Sequence, residues 1–170
     1  MPKVATIGYE GARPEALDAA LKAAGVSLVV DVRAVAISRR AGFSKTALRD
    51  RLLGQDIGYL HLRALGDPKP GREAARSGDM PLFRKIFAQH MQTPEAKAQL
   101  LQLQQLVGSR DVALLCYEAD ASGCHRSIIA QQLAESSELS IVHLTVDRGG
   151  ATTIGRTRAL DHTCEGLATA

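Results

Sequence analysis

Short continuous apolar runs alternate along this chain with longer segments of helical period. Val4 to Tyr9 is the first run, punctuated by Gly8 and Gly11, and it predicts a buried strand that ends in the loop IGYEGAR. A stripe of Leu17, Ala20, Leu21 and Ala24 follows, opened by Pro14 and ended by Gly25, as an amphipathic helix requires. Leu28 to Val32 is a second apolar run, with Asp31 and Arg33 at its end. Strand, helix and strand in this order, with both strands apolar throughout, predict a parallel sheet covered on both faces.

The pattern then loosens through AVAISRRAGFSK, a loop leading to Ser44, which can cap a helix through Leu53 with Leu48 and Leu52 inward. Tyr59 to Leu62 predicts a brief strand. LGDPKPGREAARSGD, with its two prolines and three glycines, reads as a long mobile loop and a candidate lid. Two helices follow, one from Asp79 and Pro81 carrying Phe83 and Phe87, and one from Thr93 and Pro94 to Val107; they are expected to form a helical hairpin. Val112 to Cys116 is a third strong strand, Ile128, Ile129 and Leu133 mark the helix after Cys124, and Ile141 to Val146 is a last strand. Past Gly150 the signal fades. The expected fold is α/β, a three-layer Rossmann-like sandwich with a mainly parallel sheet of about five strands. Residues 1–150 form a single domain in this reading, and residues 151–170 a C-terminal arm or partly disordered tail.

Composition narrows the class without naming a function. The 170 residues suffice for one domain with a core built from Leu, Val, Ile and Ala, since Trp is absent. No apolar run is long enough to span a bilayer and the amino terminus lacks the features of a signal peptide, so a cytoplasmic location without membrane association is expected. Three cysteines, an odd number, favour reduced thiols over a disulfide framework. The net charge of +3 does not by itself imply nucleic acid, but Arg33, Arg39, Arg40, Lys45, Arg49 and Arg51 crowd one segment.

Chemistry concentrates between Val112 and Leu133, where a strand, a loop bearing Cys116, Glu118, Cys124, His125 and Arg126, and a helix follow one another. The unpaired N–H groups of a helix start there meet a thiol, an imidazole and a guanidinium, a set suited to an anion or to nucleophilic chemistry. Cys124, beside His125 and Arg126, is the candidate nucleophile or redox thiol, because positive potential favours the thiolate. Cys116 ends an apolar strand and reads as a small core residue. Neighbours on a helix do not share a face, so contact between Cys124 and His125 is not implied; His125 can cap, bind a phosphate oxygen, or act as acid or base. Glu118 is a second candidate proton carrier. Arg126 can grip a carboxylate or phosphate through two hydrogen bonds, or pair with Glu118, Glu10 or Asp31 and simply fasten the loops.

Ligands of open parallel sheets bind beyond the carboxyl ends of the strands. That rule adds Tyr9, Glu10 and Arg13 from the first loop, and Asp31, Arg33 and Arg39 from the second, with His61 able to join from the short strand. A strand-end salt bridge is the plain reading of Asp31 and Arg33. No metal site is expected, because the spacing of Cys116, Cys124 and His125 matches no common zinc pattern and adjacent Cys and His are poorly placed to chelate one ion. His90, His143 and His162 read as structural or exposed.

TIGYEG, DVRAVAISRRAGFSK, YLHLRALGDPK and CYEADASGCHR, in this order, resemble a bacterial family called domain of unknown function 488. The resemblance runs to about Gly150, and Ala36 stands where the family usually has a proline. It implies an α/β domain with a shared site in the first, second and Cys-His-Arg loops, and it implies no reaction. The functional expectation is an enzyme that binds an anionic small molecule, phosphate- or nucleotide-like, at the strand ends and uses thiol or acid-base chemistry. Cofactor and oligomeric state are left unspecified. The alternative is a nucleic-acid- or protein-binding module using the basic segment from Arg33 to Arg51, and the plainest alternative is a purely structural motif network. A phosphatase of the Cys-x5-Arg kind is excluded by spacing, and neither a Walker loop nor a glycine-rich nucleotide fingerprint is present.

Overall fold

Apolar runs that are buried on both faces pair with each other in this protein. The computed structural model describes residues 2–146 and 152–157. Strands β1 (Lys3–Gly8), β2 (Leu28–Asp31), β3 (Gly58–His61), β4 (Val112–Cys116) and β5 (Ser140–Val146) are all parallel, and β6 (Thr152–Thr157) adds antiparallel to β5. The order across the sheet is β3-β2-β4-β1-β5-β6. The expected α/β sandwich with a mainly parallel sheet is the observed architecture.

Period-two alternation along each strand divides the apolar side chains between two cores. Ala5, Ile7, Val29, Ala113 and Leu115 face α1 (Pro14–Ala23) and α2 (Lys45–Leu53), whose Leu17, Leu21, Leu48 and Leu52 are fully buried. Val4, Val30, Val32, Val112 and Leu114 face the opposite layer. That layer holds α3 (Lys69–Arg76), α4 (Met80–His90), α5 (Pro94–Val107) and α6 (His125–Ser136), with Phe87, Leu103 and Ile129 inward. Burying a side chain of this size contributes about 1.5–3 kcal/mol, so each layer is held mainly by its apolar stripe.

Three local expectations change. LGDPKPGREAARSGD is ordered as a short 3-10 turn (Arg63–Leu65) and α3, and α4 packs on α3 while α5 packs on that turn. Pro70 sits in the first turn of α3, where its missing N–H costs nothing, and Gly71 and Ala74 are small enough to bury. Ser44 stands at the start of α2, but its hydroxyl exchanges hydrogen bonds with the Ser38 backbone instead of capping the helix. Asp79 and Thr93 do cap, accepting from Leu82 N and Ala96 N. Beyond Gly150, Thr152–Thr157 pairs as an edge strand; the rest of the expected arm, with His162, lies outside the described residues.

Connections place the site. The links β1–α1–β2 and β2–α2–β3 cover one face, while α6 carries the chain from β4 to β5 over the other. They diverge at the carboxyl ends of β2, β4 and β1, the crevice where open α/β sheets take ligands.

Candidate functional site

Backbone contacts draw the strand-end loops together. β1 and β4 continue to pair past their ends, with Glu10 N donating to the Tyr117 carbonyl at 2.8 Å and Ala119 N donating to Glu10 Oε2 at 3.0 Å. A side chain at Gly8 would overlap the Glu118 carbonyl, so only glycine lets these two segments touch. Gly66 plays the same part between the LGDPK segment and the backbone of Ala34. Four loops distant in sequence thus meet in two pairs above β2, β4 and β1.

Their meeting point is a cluster of thiols and imidazole. Cys116 Sγ and Cys124 Sγ each lie 3.7 Å from His125 Nδ1, and they lie 3.1 and 3.3 Å from Glu118 Oε2. The far ring nitrogen, Nε2, donates to the Val32 carbonyl at 2.7 Å, which turns Nδ1 toward the sulfurs. Adjacent Cys124 and His125 converge because Cys124 is the N-cap of α6, with extended φ −119° and ψ 144°, and stands outside the helix. The expectation that the two need not touch assumed both were helical. Cys116 is buried as a small core residue is, and its thiol also belongs to the cluster and lines the cleft described below, where Cys124 is not among the lining residues.

The two thiols titrate as a pair. The Cys116 hydrogen bond, with His125 and Arg126, holds Cys124 well below the ordinary thiol range against the opposing effect of burial. The neighbouring Cys124 sulfur, burial and the Glu118 charge hold Cys116 well above it. Burial acts to lower the His125 pKa, but the hydrogen bond and charge of Cys124 outweigh it and raise the pKa. Glu118 is raised by burial and by the Cys124 charge. These shifts favour a thiolate on Cys124 and the charged form of His125, with the Glu118 carboxyl alongside.

Next to it, Asp31 and Arg33 form a buried ion pair. Arg33 Nε and Nη2 donate to the two carboxylate oxygens at 2.9 and 2.6 Å, and Tyr59 Oη donates to Asp31 Oδ2 at 2.5 Å. Arg33 Nη1 donates to Tyr9 Oη and to the Phe43 carbonyl, and the Tyr9 ring stacks on Phe43 with centroids 4.6 Å apart. Burial acts to lower the Arg33 pKa, yet Asp31 overrides it and holds the guanidinium above its ordinary value. Burial and Asp31 push the Tyr59 phenol up. Asp31 is fully buried and its oxygens are saturated, so the strand-end salt bridge is what the geometry shows for this pair. His61 donates from Nε2 to the Arg33 carbonyl at 2.8 Å, steadying the same loop.

A cleft of about 740 Å³ opens over both groups. Its floor includes Cys116, Glu118, His125 and Tyr9, and its walls carry Arg33, Arg39, Arg40, Arg72 and Arg76 against the acids Asp67 and Glu118. Arg40 is spent on the Tyr9 and Ala12 carbonyls, and Arg72 donates to the Asp67 carbonyl. Arg39 and Arg76 are exposed, with no hydrogen-bond partner among the described residues. Arg126 is not on the cleft wall: it is fully buried, and its fork holds the Glu118 and Ala119 carbonyls at 2.6 and 3.2 Å. The expectation of an anion grip at Arg126 is corrected accordingly, because its donors are occupied in shaping the loop. Glu10 is occupied in the loop pairing, and Arg13 marks the start of α1.

The family model for the domain of unknown function DUF488 matches residues 13–133. The chain belongs to the DUF488 family. That match covers the Arg33, LGDPK and Cys-His-Arg segments of this chain and begins after the TIGYEG loop. No curated protein and no solved structure shows a significant match. Among the described residues, no helix is long and apolar enough to cross a membrane.

Two site residues escape the sequence reading, Arg76 on the cleft wall and Asp67. Asp67 is buried beside the cluster, its Oδ1 has no partner among the described residues, and burial pushes its pKa up to about 6 against the pull of His125 and Arg72. The available signal is its place in LGDPK, within the segment whose prolines and glycines read as a lid. Gly71 of α3 leaves room for the carboxyl, since a side chain there would collide with Oδ1.

Proposed function

We propose that this protein is an enzyme that binds an anionic, nucleotide- or phosphate-like small molecule in the arginine-walled cleft and acts on it with the Cys116, Cys124, His125 and Glu118 cluster. The carrying observation is that both sulfurs lie 3.7 Å from one nitrogen of His125, with Cys116 and His125 lining that cleft. A thiolate stabilised by an adjacent imidazolium is a nucleophile at neutral pH, and His125 or Glu118 can return a proton to a leaving group. Arg39 and Arg76 supply donors for the anion, and Val35 and Ile37, 51% and 78% exposed at the same wall, suit an apolar or planar body attached to it. Cys116, which lines the cleft, is the thiol that meets substrate, and the Cys124 thiolate beside it takes the Cys116 proton as that sulfur attacks.

The alternative of a binding module using the basic segment has less to draw on. Arg33, Arg49 and Arg51 pair with Asp31, Asp50 and Asp18, and Arg40 is spent on carbonyls, which leaves Arg39 and Lys45. The test is turnover of a panel of phosphate esters and nucleotides by the reduced protein. Arg39→Ala is expected to raise KM with kcat held, and Cys116→Ser and Cys124→Ser to abolish kcat. Turnover unchanged by both cysteine substitutions overturns the reading.

A further inference from the structure

The donor atoms of the cluster have a geometry that thiol chemistry alone does not require. Cys116 Sγ, Cys124 Sγ and His125 Nδ1 all lie within 4.8 Å of one another, and both sulfur-to-nitrogen separations are 3.7 Å. Zinc bound at about 2.3 Å from sulfur and about 2.0 Å from nitrogen sets tetrahedral sulfur-to-nitrogen edges of about 3.5 Å. The three donors thus already stand close to the corners of one coordination sphere, and all three residues are buried.

The surroundings fit the same reading. His125 Nε2 is fixed on the Val32 carbonyl, the outer hydrogen bond that orients a ligating imidazole and leaves Nδ1 free for an ion. β4 holds Cys116 in register with Gly8, and the extended N-cap conformation turns Cys124 inward, so neither thiol needs to move far. Two thiolates balance a divalent cation. The guanidinium of Arg126, fully buried and bonded to the Glu118 and Ala119 carbonyls, holds in place the loop that joins the two cysteines.

We propose that Cys116 Sγ, Cys124 Sγ and His125 Nδ1 form a three-donor site for a borderline or soft transition-metal ion, zinc in the first instance, with its remaining position open to the cleft beside Glu118. Sulfur and imidazole donors favour zinc and its neighbours over magnesium or calcium. This inference deepens the proposed function and rests on its placement of the reaction at the cluster. With the ion bound the sulfurs are ligands, and the ion takes over the role of meeting the anion.

The experiment uses the full chain, reduced and stripped with chelator, titrated anaerobically with cobalt(II) and then zinc. One ion per chain is expected, with sulfur-to-cobalt charge-transfer and tetrahedral ligand-field bands that zinc abolishes. Zinc should also slow alkylation of Cys116 and Cys124, read by peptide mass mapping on the wild-type chain, a readout independent of whether any variant folds. Cys116→Ser, Cys124→Ser and His125→Asn should each weaken zinc by more than the roughly hundredfold that loss of an outer partner costs. Substoichiometric binding, absence of thiolate bands, or unprotected thiols at saturating zinc overturns the site. Pyrophosphate protection of the metal-free thiols, removed by Arg39→Ala, reports the anion reading separately, so either proposal can fail while the other stands.

Discussion

Asp67→Asn isolates the cost of holding a charge beside the cluster. The carboxyl is 5% exposed with an unpartnered Oδ1, and burial lifts its pKa from 3.8 to about 6. The folded protein therefore binds this proton more tightly than the unfolded chain does. Stability is highest below the unfolded value, falls as pH rises from about 4 to about 6, and stays low above that. The full difference is about 3 kcal/mol. Asn preserves the shape and removes the titration, so Asp67→Asn should match the wild type below pH 4 and exceed its stability by about 3 kcal/mol at pH 8. Urea unfolding followed by circular dichroism from pH 4 to pH 8, with reductant and chelator present and the slope checked for constancy, gives the comparison directly. A stability difference that does not change with pH, or a variant weaker than wild type at pH 8, refutes the account of Asp67 as a strained carboxylate.

Three further predictions test the supporting structure. Asp31→Asn leaves the Arg33 guanidinium buried without its counter-charge and should cost about 3–5 kcal/mol in urea unfolding; a loss no larger than that of a surface substitution contradicts the ion pair as drawn. Phe87→Ala, at a fully buried ring 5.5 Å from the His125 ring, should cost about 3–5 kcal/mol and loosen the imidazole, which a broadened His125 NMR signal in the folded variant would report. In metal-free protein the lowered Cys124 pKa predicts that the pH profile of its alkylation by iodoacetamide lies below that of an ordinary thiol, and that His125→Asn moves the profile upward; an unmoved profile removes the thiolate–imidazolium pair.

Much of the fold was legible because its strands and most of its helices carry one signal each. Val29 and Val30 lie on opposite sheet faces and are both buried, so β2 appears in the sequence as an unbroken apolar run, the mark of a strand covered twice. α1 is amphipathic and bracketed by Pro14 and Gly25. α3 was illegible for the opposite reason. Its residues KPGREAAR contain Pro and Gly, and they bury only Gly71 and Ala74, so neither an apolar stripe nor propensity marks them. The helix forms because tertiary packing on α4 and the close approach of Gly71 to Asp67 define it. β6 is an edge strand of the sheet and stands where the apolar pattern has already faded.

The site was legible as a set of loops and illegible as a set of contacts. The strand-end rule assembles Tyr9, Arg33, Arg39, Cys116, Glu118 and His125 correctly at one cleft, because parallel strands deliver their carboxyl ends to the same side. Which of these groups meet each other depends on single backbone angles and single absent side chains. The extended ψ of Cys124 decides that it faces His125, and the missing side chain of Gly8 decides that the Glu118 carbonyl packs on β1, where Arg126 can hold it. Arg126 shows the consequence most directly. Residue chemistry presents it as the best anion grip on the chain, yet it lies buried in the first turn of α6, and its planar fork fits two adjacent carbonyls as well as it fits a carboxylate. In the proposed function the anion meets Arg39 and Arg76 instead; the fold leaves their donors unspent at the cleft wall, which no pattern in the sequence around Arg76 announces.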